Sequence, residues 1–185
     1  CFNEQEALPY FYEEIKKIEK EMNFLDFEYI FVEDGSKDKT LEILRDFSKK
    51  DKHVRYLSLS RNFGKEAAMY AGLVEASGDY ITIIDADLQQ NPELILNMLD
   101  ILENNQEYDT VAAYQEKRKE SKLLIFFKNC FYKLINKIST VPFVQGASDF
   151  RMFRKNVVEA ILTVSEYHRF SKGIFSFVGF NTYYM

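Results

Sequence analysis

The sequence predicts an α/β domain with a mostly parallel sheet and helices on both of its faces. Short β-rich runs alternate regularly with amphipathic helical segments over residues 6–114. The chain has 185 residues, of which 46% are hydrophobic, and this is enough for one well-filled domain. No internal repeat and no low-complexity linker interrupts the alternation. We therefore treat residues 1–185 as a single domain.

The elements of the first part follow from the spacing of apolar residues. Residues 6–22, for example, place apolar side chains at helical spacing with charged residues between them. Asn91 suits a helix N-cap, and Pro92 suits the first helical position. The pattern predicts helices over 6–22, 37–50, 65–77 and 92–103, and strands over 27–34, 54–60, 79–85 and 108–114.

The character of the sequence changes after Tyr114. The pattern predicts a charged loop over 115–122 and a very apolar helix that carries lysines over 123–138. A loop returning to a short strand is predicted over 141–155, and two helical segments are predicted over 156–164 and 168–180.

The net charge of −5 hides an asymmetry between the two parts. Residues 1–113 hold 12 Lys+Arg and 24 Asp+Glu, whereas residues 114–185 hold 12 and 5. The first part is therefore an acidic α/β body, and the second part is basic and rich in Phe. Such a split is typical of a protein in which one part binds a polyanion or a membrane surface.

Several classes of protein are disfavoured by the residues that the chain lacks. The sequence has no G-x-G-x-x-G, no Walker lysine loop and no zinc spacing, which argues against dinucleotide oxidoreductases, P-loop NTPases and zinc hydrolases. Neither His53 nor His168 lies in a hydrolase-type motif. Cys1 and Cys130 are far apart, so we expect reduced thiols in a cytosolic-type protein. No signal peptide or membrane span is evident, and residues 1–11 resemble the exit of a strand, so we expect a longer parent protein.

Polar residues follow the predicted strands, at the edge where parallel α/β sheets bind ligands. Three such stretches are Glu33-Asp34-Gly35-Ser36, Ser60-Arg61-Asn62 and Asp85-Ala86-Asp87. Asn3-Glu4 would be a fourth, after a strand that precedes residue 1. We therefore expect side chains of chemical interest to converge on one edge of the sheet.

Asp85 and Asp87 stand at the end of the most apolar strand, where two neighbouring carboxylates repel each other. Carboxylates are hard oxygen ligands for Mg²⁺ or Mn²⁺, and Gln89 adds a carbonyl oxygen or a water contact. The alternative is N-capping of the next helix, where Asp is common. The alignment with the other polar strand ends favours metal binding.

The other motifs are weaker alone. Asp-Gly-Ser is ordinary turn chemistry, although a carboxylate at this edge also suits a nucleobase or ribose. Arg61 and Lys65 beside a helix start suit phosphate or base contacts, with a surface salt bridge as the alternative. The charge run 118–122 before a Phe-rich helix fits an interfacial helix on anionic lipid and a core helix about equally.

Five stretches match one family in its order: CFNEQEALPYFYEEI, FVEDGSKDKTLEIL, SLSRNFGKEAAMYAGLVEASGDYITIIDADLQQNPELI, SDFRMFRKNVVEAI and HRFSKGIFSFVGF. They resemble family 2 glycosyltransferases of the polyprenyl-phosphate hexosyltransferase group, which are dolichyl-phosphate mannosyltransferase-like and bactoprenol glucosyltransferase-like. The resemblance covers nearly the whole chain. It implies a GT-A fold and the inverting transfer of a hexose from a nucleotide sugar to a lipid phosphate.

On the donor side, the resemblance implies a nucleotide sugar bound through Mg²⁺ or Mn²⁺. It assigns the metal to Asp85, Asp87 and Gln89. It assigns the nucleotide sugar to Asn3, Glu4, Asp34, Arg61, Lys65 and Asp85.

On the acceptor side, the resemblance implies a polyprenyl phosphate, undecaprenyl or dolichyl. It assigns the acceptor phosphate to Arg118, Ser121 and Arg151, and catalysis to Asp87, Asp149 and Arg169, with His168 beside Arg169 near the pyrophosphate. Residues 1–113 then form the nucleotide-sugar part, and 114–185 form the acceptor-side and membrane-facing part. The resemblance also implies C-terminal membrane helices and work at the cytoplasmic face of a membrane, with this chain itself soluble.

Three positions depart from the family pattern. Glu33 stands where the family usually has aspartate, which bears on base contacts, and Ser148 stands where it often has glycine. Gln115 or Lys117 is nearest to a second arginine that the family often carries upstream of Arg118, which bears on acceptor-phosphate binding.

A lipid phosphate is already anionic near pH 7, so it needs positioning by cations more than deprotonation. We therefore hypothesise that no strict general base exists and that Asp149 orients the sugar or the acceptor. Two alternatives are a family 2 enzyme with a saccharide or glycolipid acceptor and a non-catalytic nucleotide-sugar-binding module. UDP is favoured over GDP, a homo-oligomer is left open, and no nucleic-acid partner is expected.

Overall fold

The structure, a computed structural model, describes residues 1–114, 146–166 and 169–185. It confirms the α/β class. The helices are α1 (Ala7–Glu21), α2 (Thr40–Lys50), α3 (Lys65–Glu75), α4 (Leu94–Asn104), α5 (Lys155–Thr163) and α6 (Ser171–Phe177). The strands are β1 (Tyr29–Glu33), β2 (Val54–Ser58), β3 (Tyr80–Ile83), β4 (Thr110–Tyr114), β5 (Ala147–Arg154) and β6 (Thr182–Tyr184).

Helices α2 and α4 begin later than the apolar pattern predicts, as does α6, which begins at Ser171 rather than at residue 168. Helix α2 begins at Thr40 because Asp38 accepts hydrogen bonds from both the N–H and the hydroxyl of Thr40. Helix α4 begins at Leu94 rather than Pro92, and Asn91 caps the preceding turn by accepting the N–H of Glu93 at 3.1 Å. The predicted loop 115–122 and helix 123–138 lie outside the described residues.

The described strands form two sheets, and the larger sheet is mixed because β5 runs antiparallel to both of its neighbours. Strands β1 and β2 pair in parallel, with Tyr29 opposite Val54. The other described strands have the order β3-β5-β4-β6, in which β5 is antiparallel to β3 and β4, and β6 is parallel to β4. The sequence pattern does not predict β6, because three residues are too few to show a strand period.

Helices cover both faces of β5. Alternation along the strand points Phe150 and Met152 towards α4 and the end of α1, while Phe153 points towards α3, α5 and α6. A third cluster joins α1 and α2 to β1 and β2. Ile84 packs against the first and third clusters, so it links the two sheets just beyond the carboxyl end of β3.

A polar network closes the amino ends of β1 and β2. Asp51 accepts hydrogen bonds from the Tyr12 hydroxyl at 2.7 Å and from Lys16 Nζ at 3.0 Å. Lys16 also pairs with Glu19, which accepts the Tyr29 hydroxyl at 2.9 Å. The acidic groups and His53 lie close enough to surround a cation, but the Lys16 ammonium already pairs with both carboxylates. The network therefore stabilises the fold.

The lowered pKa of Asp51 reflects the stabilisation of its charged form by this network. Burial alone raises this pKa, but the hydrogen bonds from Tyr12, from the His53 N–H and from Lys16 outweigh burial and lower the pKa to about 2. A carboxylate whose pKa is lower in the folded state stabilises the fold above its unfolded pKa. This contribution is lost as the pH falls from about 4 towards 2.

We expect Asp51→Asn to reduce the free energy of unfolding by about 2 kcal/mol at pH 7, because the shift corresponds to roughly that energy. Urea unfolding at several pH values measures it, and the difference from wild type should shrink below about pH 4. Asp46→Asn, an exposed change on α2, is the control. A pH-independent difference would contradict the assignment to the charged form of Asp51.

Candidate functional site

The polar residues that follow the strands converge, as expected. Residues 1–5 run beside β1 and over the loop that follows it. The carbonyl of Cys1 accepts the Asp34 N–H at 2.9 Å. Beyond it, Asn3 and Glu4 donate their backbone N–H groups to the hydroxyls of Ser36 and Thr40, at 3.0 and 2.8 Å. The segment that carries Asn3 and Glu4 is thereby fixed next to the end of β1 and the start of α2.

Asp34 holds the neighbouring loop in place. Its Oδ1 accepts the N–H of Phe63 at 2.7 Å, and its Oδ2 accepts the N–H of Gly64 at 2.9 Å. The residue is only 4% exposed. Gly35 is required beside it, because its φ is +69° and a Cβ there would lie 2.4 Å from the carbonyl carbon of Arg61. Asp34 thus positions the loop with both carboxylate oxygens, and its expected nucleoside contact stays a prediction.

Glu33, where the family usually has aspartate, is a buried anchor. Its carboxylate accepts the N–H of Ser36 and, at 3.0 Å, the hydroxyl of Ser58. The side chain is 2% exposed. The longer side chain therefore ties the end of β1 to the end of β2.

The sheet register brings two further carboxylates together. Ile83 pairs with Arg151 in the antiparallel β3–β5 ladder, and Asp85 and Asp149 each lie two residues from that last pair, at the same end of the ladder. Like charges close together on neighbouring strands destabilise a sheet. Lys65, the first residue of α3, lies between them, with Nζ 2.7 Å from Asp85 Oδ2 and 3.1 Å from Asp149 Oδ2.

The Lys65 ammonium is held in its charged form. Burial lowers its pKa, but the hydrogen bond to Asp85 and the charge of Asp149 outweigh burial and raise the pKa above its usual value. Gln90 supports Asp85 from the other side, because its Nε2 donates to Asp85 Oδ2 at 3.1 Å and its Oε1 accepts the Asp85 N–H. Asp149 Oδ1 is buried and has no hydrogen-bond partner among the described residues.

Asp87 faces the same edge from a tight turn. Its Oδ1 accepts the Gln89 N–H at 3.0 Å, and Leu88 between them has a φ of +59°. Burial, followed by repulsion from Asp87, raises the pKa of the Glu4 carboxyl, so these side chains share one region. We call Glu4, Asp85, Asp87 and Asp149 the acidic edge.

The acidic edge carries ligands of the type that a hard divalent cation prefers, although no three of its described carboxylates place oxygens within 4.8 Å of one another. It offers carboxylate oxygens, which Mg²⁺ and Mn²⁺ prefer, and one buried carboxylate oxygen, Asp149 Oδ1, without a partner among the described residues. Asp85 and Asp87, with Gln89 in the same turn, are the residues that would hold the ion. The network around Asp51 lies at the opposite ends of β1 and β2 and is a separate feature.

Arg61 and Arg151, which are predicted to contact the substrates, lie in two different environments. Arg61 is exposed, with its guanidinium 4.6 Å from the centre of the Phe63 ring. Arg151 is 4% exposed and donates to the Ser148 carbonyl over the Phe175 ring, and burial lowers its pKa to about 10. The described structure therefore places Arg151 in the core, and its predicted contact with an acceptor phosphate stays a prediction.

Arg169 closes the end of a helix. Its guanidinium donates to the carbonyl of Val164 at 2.6 Å and lies over the Tyr70 ring. Its predicted contact with a pyrophosphate would require this group to turn, and that contact stays a prediction. The other predicted ligands on this side, Arg118, Ser121 and His168, lie outside the described residues.

Two positioning residues are missed by the sequence patterns. Gln90 holds Asp85, and Glu66 accepts both the N–H and the hydroxyl of Ser171, which joins the first turns of α3 and α6. Gln90 lies next to the predicted ligand Gln89, so the Gln-Gln pair was the available signal. Glu66 and Ser171 are 105 residues apart, and no local pattern connects them.

The sequence and the fold are those of a glycosyltransferase. Residues 1–162 match the glycosyl transferase family 2, and the chain belongs to that family. The predicted resemblance to this family is therefore confirmed.

Curated relatives point to one branch of the family. The chain is 39% identical over 181 residues to the bactoprenol glucosyl transferase of Shigella phage SfV, covering 98% of this chain and 58% of that protein. It is 37% identical over 180 residues to the putative glycosyltransferase CsbB of Bacillus subtilis (strain 168), covering 97% and 54%. The chain thus spans a little over half the length of these relatives.

Solved structures confirm the GT-A fold. The mannosyltransferase PcManGT from Pyrobaculum calidifontis, in complex with GDP-Man and Mn²⁺, matches with a TM-score of 0.64 at 18% identity, covering 100% of this chain and 52% of that one. Mannosyl-3-phosphoglycerate synthase from Rubrobacter xylanophilus matches with a TM-score of 0.66 at 15% identity, covering 100% and 62%.

We expect Asp34→Asn to lower the free energy of unfolding by about 1–3 kcal/mol, because an amide keeps only one of the two acceptor oxygens at this buried site. Hydrogen exchange should also become faster at the Gly64 or Phe63 N–H. The control is Asp79→Asn, an exposed position that removes the same charge. Unchanged exchange at both N–H groups would show that Asp34 does not hold this loop.

Proposed function

We propose that this chain is the catalytic domain of an inverting, metal-dependent hexosyltransferase that moves a hexose from a UDP- or GDP-sugar to a polyprenyl phosphate. The observation that carries the proposal is the acidic edge at the strand ends of a family 2 fold. The similarity to relatives named bactoprenol glucosyl transferase supports the lipid-phosphate acceptor.

The nucleotide-sugar donor is negatively charged, and so are the side chains of the acidic edge. A nucleoside diphosphate therefore needs a cation between itself and Asp85, Asp87 and Glu4. Asp85, Asp87 and Gln89 would hold Mg²⁺ or Mn²⁺, which would supply that charge and stabilise the leaving diphosphate. Acidic ligands alone do not make the site selective for one of these ions, because both prefer oxygen.

The loops at the strand ends bind and orient the nucleoside. Asp34 fixes residues 63 and 64 and so determines where the exposed Arg61 stands. Asn3 and Glu4 are fixed on the opposite side by Ser36 and Thr40. These contacts preorganise the nucleoside site, which reduces the entropy lost on binding.

Asp149 orients the sugar or the acceptor in this proposal. A lipid phosphate is already ionised near neutral pH, so attack on the sugar does not require a proton acceptor of high basicity. Asp149 stands near Asp85, at the border between the nucleotide part and the acceptor side. Its position supports a role in holding the two substrates in line.

The acceptor side meets a membrane surface in this proposal. Residues 114–185 are basic overall, and anionic lipid attracts such segments. Arg118, Ser121 and Arg151 receive the lipid phosphate, while Arg169 and His168 serve the donor pyrophosphate. The reaction takes place at the cytoplasmic face, where nucleotide sugars are made available to the enzyme.

Among residues 1–114, 146–166 and 169–185, no helix is both long enough and apolar enough to cross a membrane.

We expect one nucleotide to raise the melting temperature of the chain only when Mn²⁺ or Mg²⁺ is present, because a ligand of the native state stabilises it by mass action. Thermal unfolding against UDP, GDP and their sugars measures this, and Asp87→Asn should abolish the metal-dependent part. Asp100→Asn, on the exposed side of α4, is the control. Binding that needs neither metal nor Asp87 would contradict the proposed donor site.

We expect Asp149→Asn to reduce turnover by about 10- to 100-fold while donor affinity stays within about twofold, because an amide still positions a substrate. Release of nucleoside diphosphate in the presence of polyprenyl-phosphate vesicles measures turnover. Glu159→Gln, exposed on α5, is the control. A complete loss of turnover with normal donor binding would instead assign Asp149 as an essential base.

A further inference from the structure

The cation between Asp85 and Asp149 belongs to the protein itself. The β3–β5 ladder brings the two carboxylates to the same end of these strands, and the Lys65 ammonium contacts both, at 2.7 and 3.1 Å. Removing this ammonium would leave two neighbouring carboxylates, one of them with a buried oxygen that has no hydrogen-bond partner among the described residues. Lys65 therefore stands where a divalent cation would otherwise be attracted.

We propose that Lys65 competes with the divalent cation for Asp85 and so makes metal binding depend on the nucleotide. This inference rests on the proposed function and describes the regulation of the same site. Lys65 is a positioning residue here, because it acts through the charge of Asp85 rather than through the reacting atoms.

The local structure limits where Lys65 can go. Its backbone is the first residue of α3, directly after Gly64, whose N–H is held by Asp34. The side chain is 46% exposed, so the flexible stem can swing while the backbone stays fixed. Lys65 contacts Oδ2 of Asp85. An ammonium is a compact point charge, and a dication on the other oxygen of the same carboxylate would lie close enough to repel it.

The nucleotide supplies a new anionic partner for the Lys65 ammonium. When a divalent cation takes Asp85, the displaced ammonium needs another anion close by. A nucleoside diphosphate brings several anionic oxygens to the same edge, and these can pair with the ammonium and with the cation at once. Metal and nucleotide then bind more tightly together than separately, and such coupling is reciprocal.

A purely structural ion pair predicts a different result. If Lys65 only stabilised the fold, its removal would lower stability and leave the affinity for metal alone unchanged or weakened. If Lys65 competes with the cation, its removal strengthens that affinity, because the carboxylates lose their internal partner. The direction of the change therefore separates the two roles.

The test measures Mn²⁺ binding to the chain by electron paramagnetic resonance, without nucleotide and with UDP or GDP. For wild type we expect weak binding of Mn²⁺ alone and at least about fivefold tighter binding with one nucleotide. Lys65→Met should tighten the binding of Mn²⁺ alone by about the same factor and reduce the nucleotide effect accordingly. Lys65→Arg, which keeps the charge, should behave like wild type, as should Lys49→Met, an exposed control on α2.

Lys65→Gln serves as a second variant if Lys65→Met unfolds, since the amide can still donate to Asp85. Unchanged or weaker binding of Mn²⁺ alone in the folded neutral variant would overturn the proposal. So would a nucleotide effect of wild-type size. Failure of the proposed function would give a different result, because wild type would then bind Mn²⁺ and nucleotide independently of Asp87. The effect of Lys65→Met on the binding of Mn²⁺ alone could still be measured in that case.

Discussion

Repulsion between carboxylates at one edge of the sheet is the constraint on which the site depends. The antiparallel insertion of β5 between β3 and β4 brings Asp149 near Asp85, and the turn after β3 adds Asp87. A fold gains nothing from such crowding unless cations offset it. In the described structure Lys65 offsets part of it, and the proposed function assigns the rest to a divalent ion.

The two ends of β1 and β2 show how differently acidic groups can be used. At the amino ends, Asp51 and Glu19 have hydrogen bonds from tyrosine hydroxyls and from Lys16, which gives a closed and stabilising network. At the carboxyl ends, Glu33 and Asp34 are more deeply buried and are also hydrogen-bonded, but they hold loops. The side chains beyond them form the acidic edge, to which the proposed function assigns the donor.

Local patterns were sufficient for most elements and for the convergence at the strand ends. The run Tyr80–Asp87 shows both its apolar side chains and its carboxylates, so the two carboxylates after β3 could be predicted. The partners of Lys65 and Glu66 could not, because they depend on the register of β5 and on contacts up to 105 residues apart. The buried position of Arg151 also depends on tertiary packing against Phe175, which no spacing in the sequence encodes.

The distribution of rigid and adaptable groups follows from these contacts. Asp34, Gly35 and Glu33 fix the backbone of the loops that follow β1 and β2 through buried hydrogen bonds and a close approach that only glycine permits. Lys65 extends from that fixed backbone on a flexible, half-exposed stem. A site built this way keeps its geometry while its charge is rearranged, because the loops do not have to move when one ammonium exchanges partners. Metal affinity and nucleotide affinity can then be coupled at small structural cost.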